Sequence, residues 1–298
     1  LRGSRGAYES DEDAAAVVVP ATLQTTIAAR IDRLRPEAKR TLHAASVIGL
    51  RFGAELLGDL VTDAVIEDLL VAEVIDEVQA SPRREYVFHH PLIRAVAYET
   101  QLRAGRAGLH RRLAAAIERR WPDAVDKNAA MLAEHLEAAG DLHSAYGWHM
   151  RAGAWSINRD ILAARLSWAS ARQAADALPA DDPARTALRI APLTLLCLSA
   201  WRVHVSIVGA PFDELRRLCE RTGDKASLAM GMAGLVMEHV NRAQVREASE
   251  LAAEYMGLID SISDPVLTIG LSFAGIQTKA ETDGLADLVR WADTVIDL

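Results

Sequence analysis

The sequence predicts a mainly α-helical protein: a winged-helix domain with a small β-hairpin, followed by an α-solenoid of paired helices. Three observations carry that expectation. Ala, Leu, Val and Arg dominate a chain of 298 residues with only 5% aromatics, a composition that favours helices approaching closely through small side chains. One segment, Val74 to Gln79, alternates apolar and polar residues, and after the turn Ser81-Pro82-Arg83-Arg84 the run Glu85 to Phe88 is extended again. Finally, the stretch from Gly223-Asp224 through Leu258 is echoed by Ser263-Asp264 through Leu298, a period of about 40.

The bulk numbers agree. With 50% hydrophobic and 25% charged residues the chain is long enough for two packed units of a soluble globular protein. A formal charge of −8 argues against non-specific attachment to nucleic acid or to an anionic membrane. The most apolar run, Ile190 to Trp201, is closed by Arg202 and His204 and falls short of the roughly 20 residues of a membrane helix. Cys197 and Cys219 sit in apolar helical surroundings without a Cys-x-x-Cys, as expected of reduced core thiols in a cytoplasmic protein.

Taken in order, residues 1–19 combine Gly3 and Gly6 with the acidic run Glu9 to Asp13 and read as a flexible leader or the edge of a preceding domain. Residues 20–104 are the winged-helix domain. From Thr22 the apolar residues Leu23, Ile27, Ile31 and Leu34 recur at helical spacing until Arg35-Pro36, where a second helix starts and runs to Gly49. Two short helices follow, about Ala54 to Val61 and Asp63 to Glu73, and then the hairpin. From Pro91, whose missing N–H costs nothing in a first turn, a helix runs to about Leu102 and is broken by Gly105 and Gly108.

Residues 105–180 hold the first helix pairs: Leu109 to Trp121, Ala129 to Ala139, Leu142 to Ser156 and Ile161 to Leu178. The small residues Ala145, Ala152, Ala164 and Ala171 stand where the last two would cross. Trp148, Trp155 and Trp168 are expected as anchors between paired helices. Residues 181–298 hold further repeats, incomplete at the C-terminus, in which Ala233-Gly234-Leu235 answers Ala274-Gly275-Ile276 and Ala252 answers Ala292. Units of this kind bury their apolar faces only by stacking, which leaves a surface for a partner. The match to a strict 34-residue pattern is imperfect, so the pairs are tetratricopeptide-like. The chain begins without Met and stops inside a helical pattern, so a piece of a longer protein is expected.

Five segments, Val19 to Gln24, Ala29 to Leu34, Ala44 to Gly49, Phe88 to Arg94 and Leu109 to Leu113, carry a resemblance. Together they look like the region after the core of signal-transduction (STAND/AAA-type) ATPases of actinobacteria, where a winged helix leads into tetratricopeptide-like repeats. The resemblance is strongest from Val19 to Leu178. It implies a parent fused to a class III adenylate cyclase domain, to a LuxR-type DNA-binding domain, or to both. It also implies a role for His90: in some relatives the histidine of the Phe-x-His-x-Leu motif faces the phosphates of bound ADP, and Arg94, one turn on, would reach the same phosphates.

The chain departs from those ATPases where chemistry would be done. It has no Gly-x-x-x-x-Gly-Lys-Ser/Thr, so no phosphate-cradling loop, and no Gly-x-Ser-x-Gly nucleophile turn. No enzyme activity and no cofactor are expected of this chain; ATP or ADP would belong to the parent. His135, His143 and His149 lack the i, i+4 spacing of a helical zinc site. The would-be recognition helix, Asp63 to Glu73, carries four acids and no Lys or Arg, which disfavours DNA. The expected function is a non-catalytic regulatory or scaffold segment that couples a helical-repeat sensor to a neighbouring ATPase domain, with a protein partner or small effector on the repeat surface. The alternatives are a stand-alone interaction module from a truncated gene, or the middle of a DNA-binding transcriptional regulator.

Overall fold

The computed structural model describes residues 21–262, 264–280 and 285–296. The expected leader, residues 1–19, and the echo positions Ser263 and Leu298 lie outside them. The chain divides into two compact units at the Arg120/Trp121 junction. The boundary expected between the winged-helix domain and the helix pairs, 104/105, therefore falls inside the first unit.

In that unit α1 (Ala21–Asp32) and α2 (Pro36–Ile48) lead into β1 (Arg51–Gly53), α3 (Ala54–Leu60) and α4 (Ile66–Val71). The hairpin β2 (Ile75–Gln79) and β3 (Glu85–Phe88) follows, then α5 (Pro91–Glu99) and α6 (Arg103–Arg120). Antiparallel pairing in the order β1-β3-β2 makes a three-stranded sheet, the winged-helix plan. β1 has too few residues to show a period and was not expected. Its Phe52 stands opposite Tyr86, and Phe52, Tyr86, Phe88 and Ile75 form the buried face of the sheet. The Phe52 ring lies 5.8 Å from Tyr86 and 5.7 Å from Phe88, within the range of favourable aromatic contact.

Two elements differ from expectation. α4 is six residues long, shorter than Asp63 to Glu73, because Glu73 turns into the left-handed region at φ 50° and its neighbour Val74 donates back to Leu69 O. Arg30 from α1 donates to Ala72 O at that end, and Arg35 pairs with Asp68. The second difference is at Gly105 and Gly108, which are interior residues of α6. The break comes earlier, where Thr100 Oγ1 donates to Val96 O at 2.8 Å and Gln101 Nε2 to Ala97 O at 3.0 Å. Burial of Leu109, Leu113, Ala116 and Ile117 outweighs the roughly 1 kcal/mol that each helical glycine costs. Arg120 then ties the end of α6 to Glu55 and Asp59 on α3.

The second unit opens with a 3-10 turn at Pro122–Ala124, followed by α7 (Ala129–Ala138), α8 (Leu142–Ser156), α9 (Ile161–Ala177) and α10 (Arg185–Leu198). After a second 3-10 turn, Ala200–Val203, come α11 (Ala210–Thr222), α12 (Lys225–Asn241), α13 (Val245–Asp260), α14 (Pro265–Ala280) and α15 (Leu285–Ile296). Consecutive helices pack on each other, and α12 also packs on α10 and on α14, which is the stacking of an α-solenoid. Aspartates start four of these helices: Asp141, Asp160 and Asp224 each accept from the backbone N–H three residues on, and Asp264 accepts from Val266 and Leu267. Gly140 and Gly223, both at φ 73°, end the preceding helices in the conformation that glycine adopts most readily.

Ala145, Ala152, Ala164 and Ala171 are buried at the crossing of α8 and α9, as expected. Of the three tryptophans only Trp168 is a core anchor. Trp148 and Trp155 are half-buried and carry the guanidinium groups of Arg151 and Arg159 over their rings, at 4.9 and 4.5 Å. A methyl group on Gly153 would lie 2.1 Å from Trp168 Nε1, so the indole occupies the notch that glycine leaves. Gly153→Ala should therefore cost about 1–3 kcal/mol by overpacking. Gly147→Ala in the same helix, where nothing lies within 4 Å, should be neutral or stabilise by up to about 1 kcal/mol. Urea titrations of the two variants check the contrast.

Both cysteines are buried free thiols. Burial pushes each up to about 12, so neither forms a thiolate near neutral pH. Ellman's reagent should leave both unmodified in the folded protein at pH 7.5 and titrate both once urea unfolds the chain. Prompt reaction before unfolding would contradict the packing around α10 and α11.

Candidate functional site

The junction of β3 and α5 is built from sequence outward. Phe88 N–H donates to Leu50 O at 3.0 Å and His89 N–H to Val74 O at 3.1 Å, which prolongs the sheet on both sides of β3 by one residue. His90, extended at φ −144°, is the N-cap of α5. Its Nδ1 accepts the Leu92 N–H at 3.1 Å, and Pro91 fills the first helical position. A neutral ring that accepts at Nδ1 carries its proton on Nε2, and His90 is exposed. The residue therefore caps a helix and presents an N–H donor to the outside.

Arg94 is half-buried and turned to the protein: its Nε donates to Ser46 O at 3.0 Å, near the C-terminus of α2 where carbonyls lack intrahelical partners. Its guanidinium also lies 5.8 Å from the Tyr98 ring, which Arg106 approaches at 4.4 Å. Tyr98 OH in turn meets His110 Nε2 at 2.9 Å. The structure does not bring Arg94 and His90 together through any mutual contact among the described residues.

Sequence reasoning missed two partners here. His89 Nδ1 lies 2.9 Å from Asp76 Oδ2 across the hairpin, which the pairing of Ile75 with Phe88 makes possible. Continuing the alternation of the two strands past Phe88 would have found it. The Tyr98–His110 contact spans the turn between α5 and α6 and was hidden by the expectation that a helix begins only at Leu109.

The remaining histidines disperse. His143 Nε2 lies 2.8 Å from Asp182, whose carboxyl is held below its usual range first by the Ala184 N–H and then by His143. His149 is buried with Nε2 3.1 Å from Glu137 Oε1, off hydrogen-bond geometry. His135 is pushed down by burial. Among the described residues no three His, Cys, Asp or Glu side chains converge on a metal-sized site, and no helix is long and apolar enough to cross a membrane.

No family model matches the chain. It is 29% identical over 191 residues to an uncharacterized protein of Rhizobium meliloti (strain 1021), covering 61% of this chain and 18% of that protein. Among solved structures, the crystal structure of a Signal Transduction ATPase with Numerous Domains (STAND) protein with a tetratricopeptide repeat sensor, from Pyrococcus horikoshii, aligns at a TM-score of 0.38 and 11% identity. That alignment covers 90% of this chain and 45% of the other. The chain thus spans less than half of either protein.

The repeat unit carries its own polar and apolar features. Arg172 and Arg189 both reach Glu214, at 2.7 and 2.8 Å, and so bind α9 and α10 to α11. Buried Glu238 on α12 accepts from Ser206 Oγ at 2.7 Å and Ile207 N–H at 2.8 Å and pairs with Arg242, which pins the loop before α11. Exposed apolar stripes lie on α9, at Leu162 and Leu166, and on α14, at Val266, Ile269 and Phe273.

The cap predicts a separation of variants. His90→Ala should destabilise the first unit by about 1 kcal/mol, whereas His90→Asn, which can still accept the Leu92 N–H, should be near neutral. Thermal melts check the difference.

Proposed function

We propose that this chain is a non-catalytic regulatory segment, in which the winged-helix unit reports the nucleotide state of an adjoining ATPase domain to a helical-repeat sensor. The observation that carries the reading is His90, which caps α5 through Nδ1 and leaves Nε2–H as a fixed outward donor of the kind a phosphate oxygen accepts. The family resemblance of Phe88 to Arg94 supports it. In this reading His90 stabilises an ADP-bound closed state, Arg94 steadies the helix that holds His90, and a partner or small effector on the repeats shifts the balance towards opening. ATP or ADP belongs to the adjoining domain, and this chain contributes a contact to it. Whether the parent is a cyclase or a LuxR-type regulator depends on the domains beside it.

The decisive variant is His90→Asn in a protein that includes the ATPase domain, because it keeps the cap while its shorter amide no longer places a donor where Nε2–H stands. It is expected to weaken ADP binding by about tenfold, the order of one charge-assisted hydrogen bond. Unchanged ADP affinity would sink the nucleotide reading. A second reading, an interaction module that senses no nucleotide, is favoured by the apolar stripes on α9 and α14.

A further inference from the structure

A cleft of about 530 Å³ opens within the first unit, between α2, the segment joining α3 to α4, and the start of α6. Its size is that of a small-molecule site. Leu60, Val61, Leu102 and Leu109 supply apolar wall, and Leu102 leaves 83% of its surface in solvent.

The arginines beside that wall have little to bind within the protein. His43 Nε2 is shielded from water and has no hydrogen-bond partner, which disfavours the charged imidazolium beside the cleft. Burial, and then Lys39, push this imidazole down, away from the charged form. Gln101 donates through Nε2 to His43 O, Ser46 Oγ and Ala97 O, an arrangement that fixes its amide and directs Oε1 away from those partners. Arg112 is exposed on the rim and forms no ion pair among the described residues. Among the described residues Arg40 pairs with Glu37 alone, at 3.5 Å and in solvent, a pair of small worth. Asp63 is the one carboxylate on the lining, so two arginines against one aspartate favour a monoanion over a multiply charged phosphate.

We infer that this cleft binds a small amphipathic carboxylate, its hydrocarbon body against Leu60, Val61, Leu102 and Leu109, and its carboxylate at Arg112 and Arg40. The site lies wholly within the winged-helix unit and is independent of the nucleotide reading of His90. It gives the first unit a candidate effector site of its own.

Calorimetric titration of the whole chain with octanoate, octylammonium and octanol, which share a hydrocarbon and differ in charge, tests it. Octanoate is expected to bind at least about tenfold tighter than either of the others, and Arg112→Ala to remove most of that preference. Arg112 is exposed, so its loss should leave the fold intact, and an unchanged melting temperature confirms that. Leu102→Ser, also at an exposed position, should weaken octanoate and octanol alike. No octanoate binding up to 10 mM, equal binding of octylammonium, or octanoate affinity unmoved by Arg112→Ala would each overturn the assignment.

Discussion

Close approach of helix backbones is the constraint on which the repeat unit depends. At four places a glycine faces a partner that leaves no room for a methyl group: Gly153 at Trp168, Gly231 at Leu215, Gly234 at the Cys197 carbonyl and Gly275 at Met256. A Cβ at Gly234 would lie 2.2 Å from a backbone oxygen, which cannot swing aside as a side chain can. Packing at that distance lets α12 touch both α10 and α14 and makes the stack continuous. The echo of Gly234 by Gly275 is therefore physical: each stands where its helix crosses an earlier one, with Cys197 in one case and Met256 in the other filling the space.

Charge does a different job. The links from Arg172 and Arg189 to Glu214 and from Glu238 to the loop before α11 are partly or wholly buried, where each carboxylate is satisfied by several donors. They fix which loop lies on which helix. The surface pairs of the sheet, such as Arg51–Glu85, are exposed and long, and contribute little to stability. In the winged-helix unit the corresponding restraint comes from helix ends: Arg94 on the last carbonyls of α2, Arg30 on those of α4, and Arg120 on the acids of α3.

At His90 one residue serves structure and, in the proposed function, chemistry as well. Its capping bond needs Nδ1 as an acceptor, and this places the proton on the outward nitrogen. Structural need thus prepares the donor that the functional reading uses. The same economy does not extend to Arg94, whose Nε is committed to Ser46 O.

The sequence by itself determined the helix pairs, the hairpin, the small-residue crossings and the start of α5 at Pro91, because each rests on local period, turn chemistry or first-turn preference within a few residues. It read α1 less well: Ile31 is buried as its spacing implies, while Leu23 is 45% exposed, since period says which face is apolar but not what covers it. Only the tertiary structure decided the strand Arg51–Gly53, which exists by pairing with a partner more than thirty residues on, and the continuity of α6 through Gly105 and Gly108, which packing imposes against propensity. It also decided the cleft at His43 and Arg112, whose lining comes from three separated stretches of chain. No local pattern records such a convergence, because the contacts that make it are spent between elements and not within them.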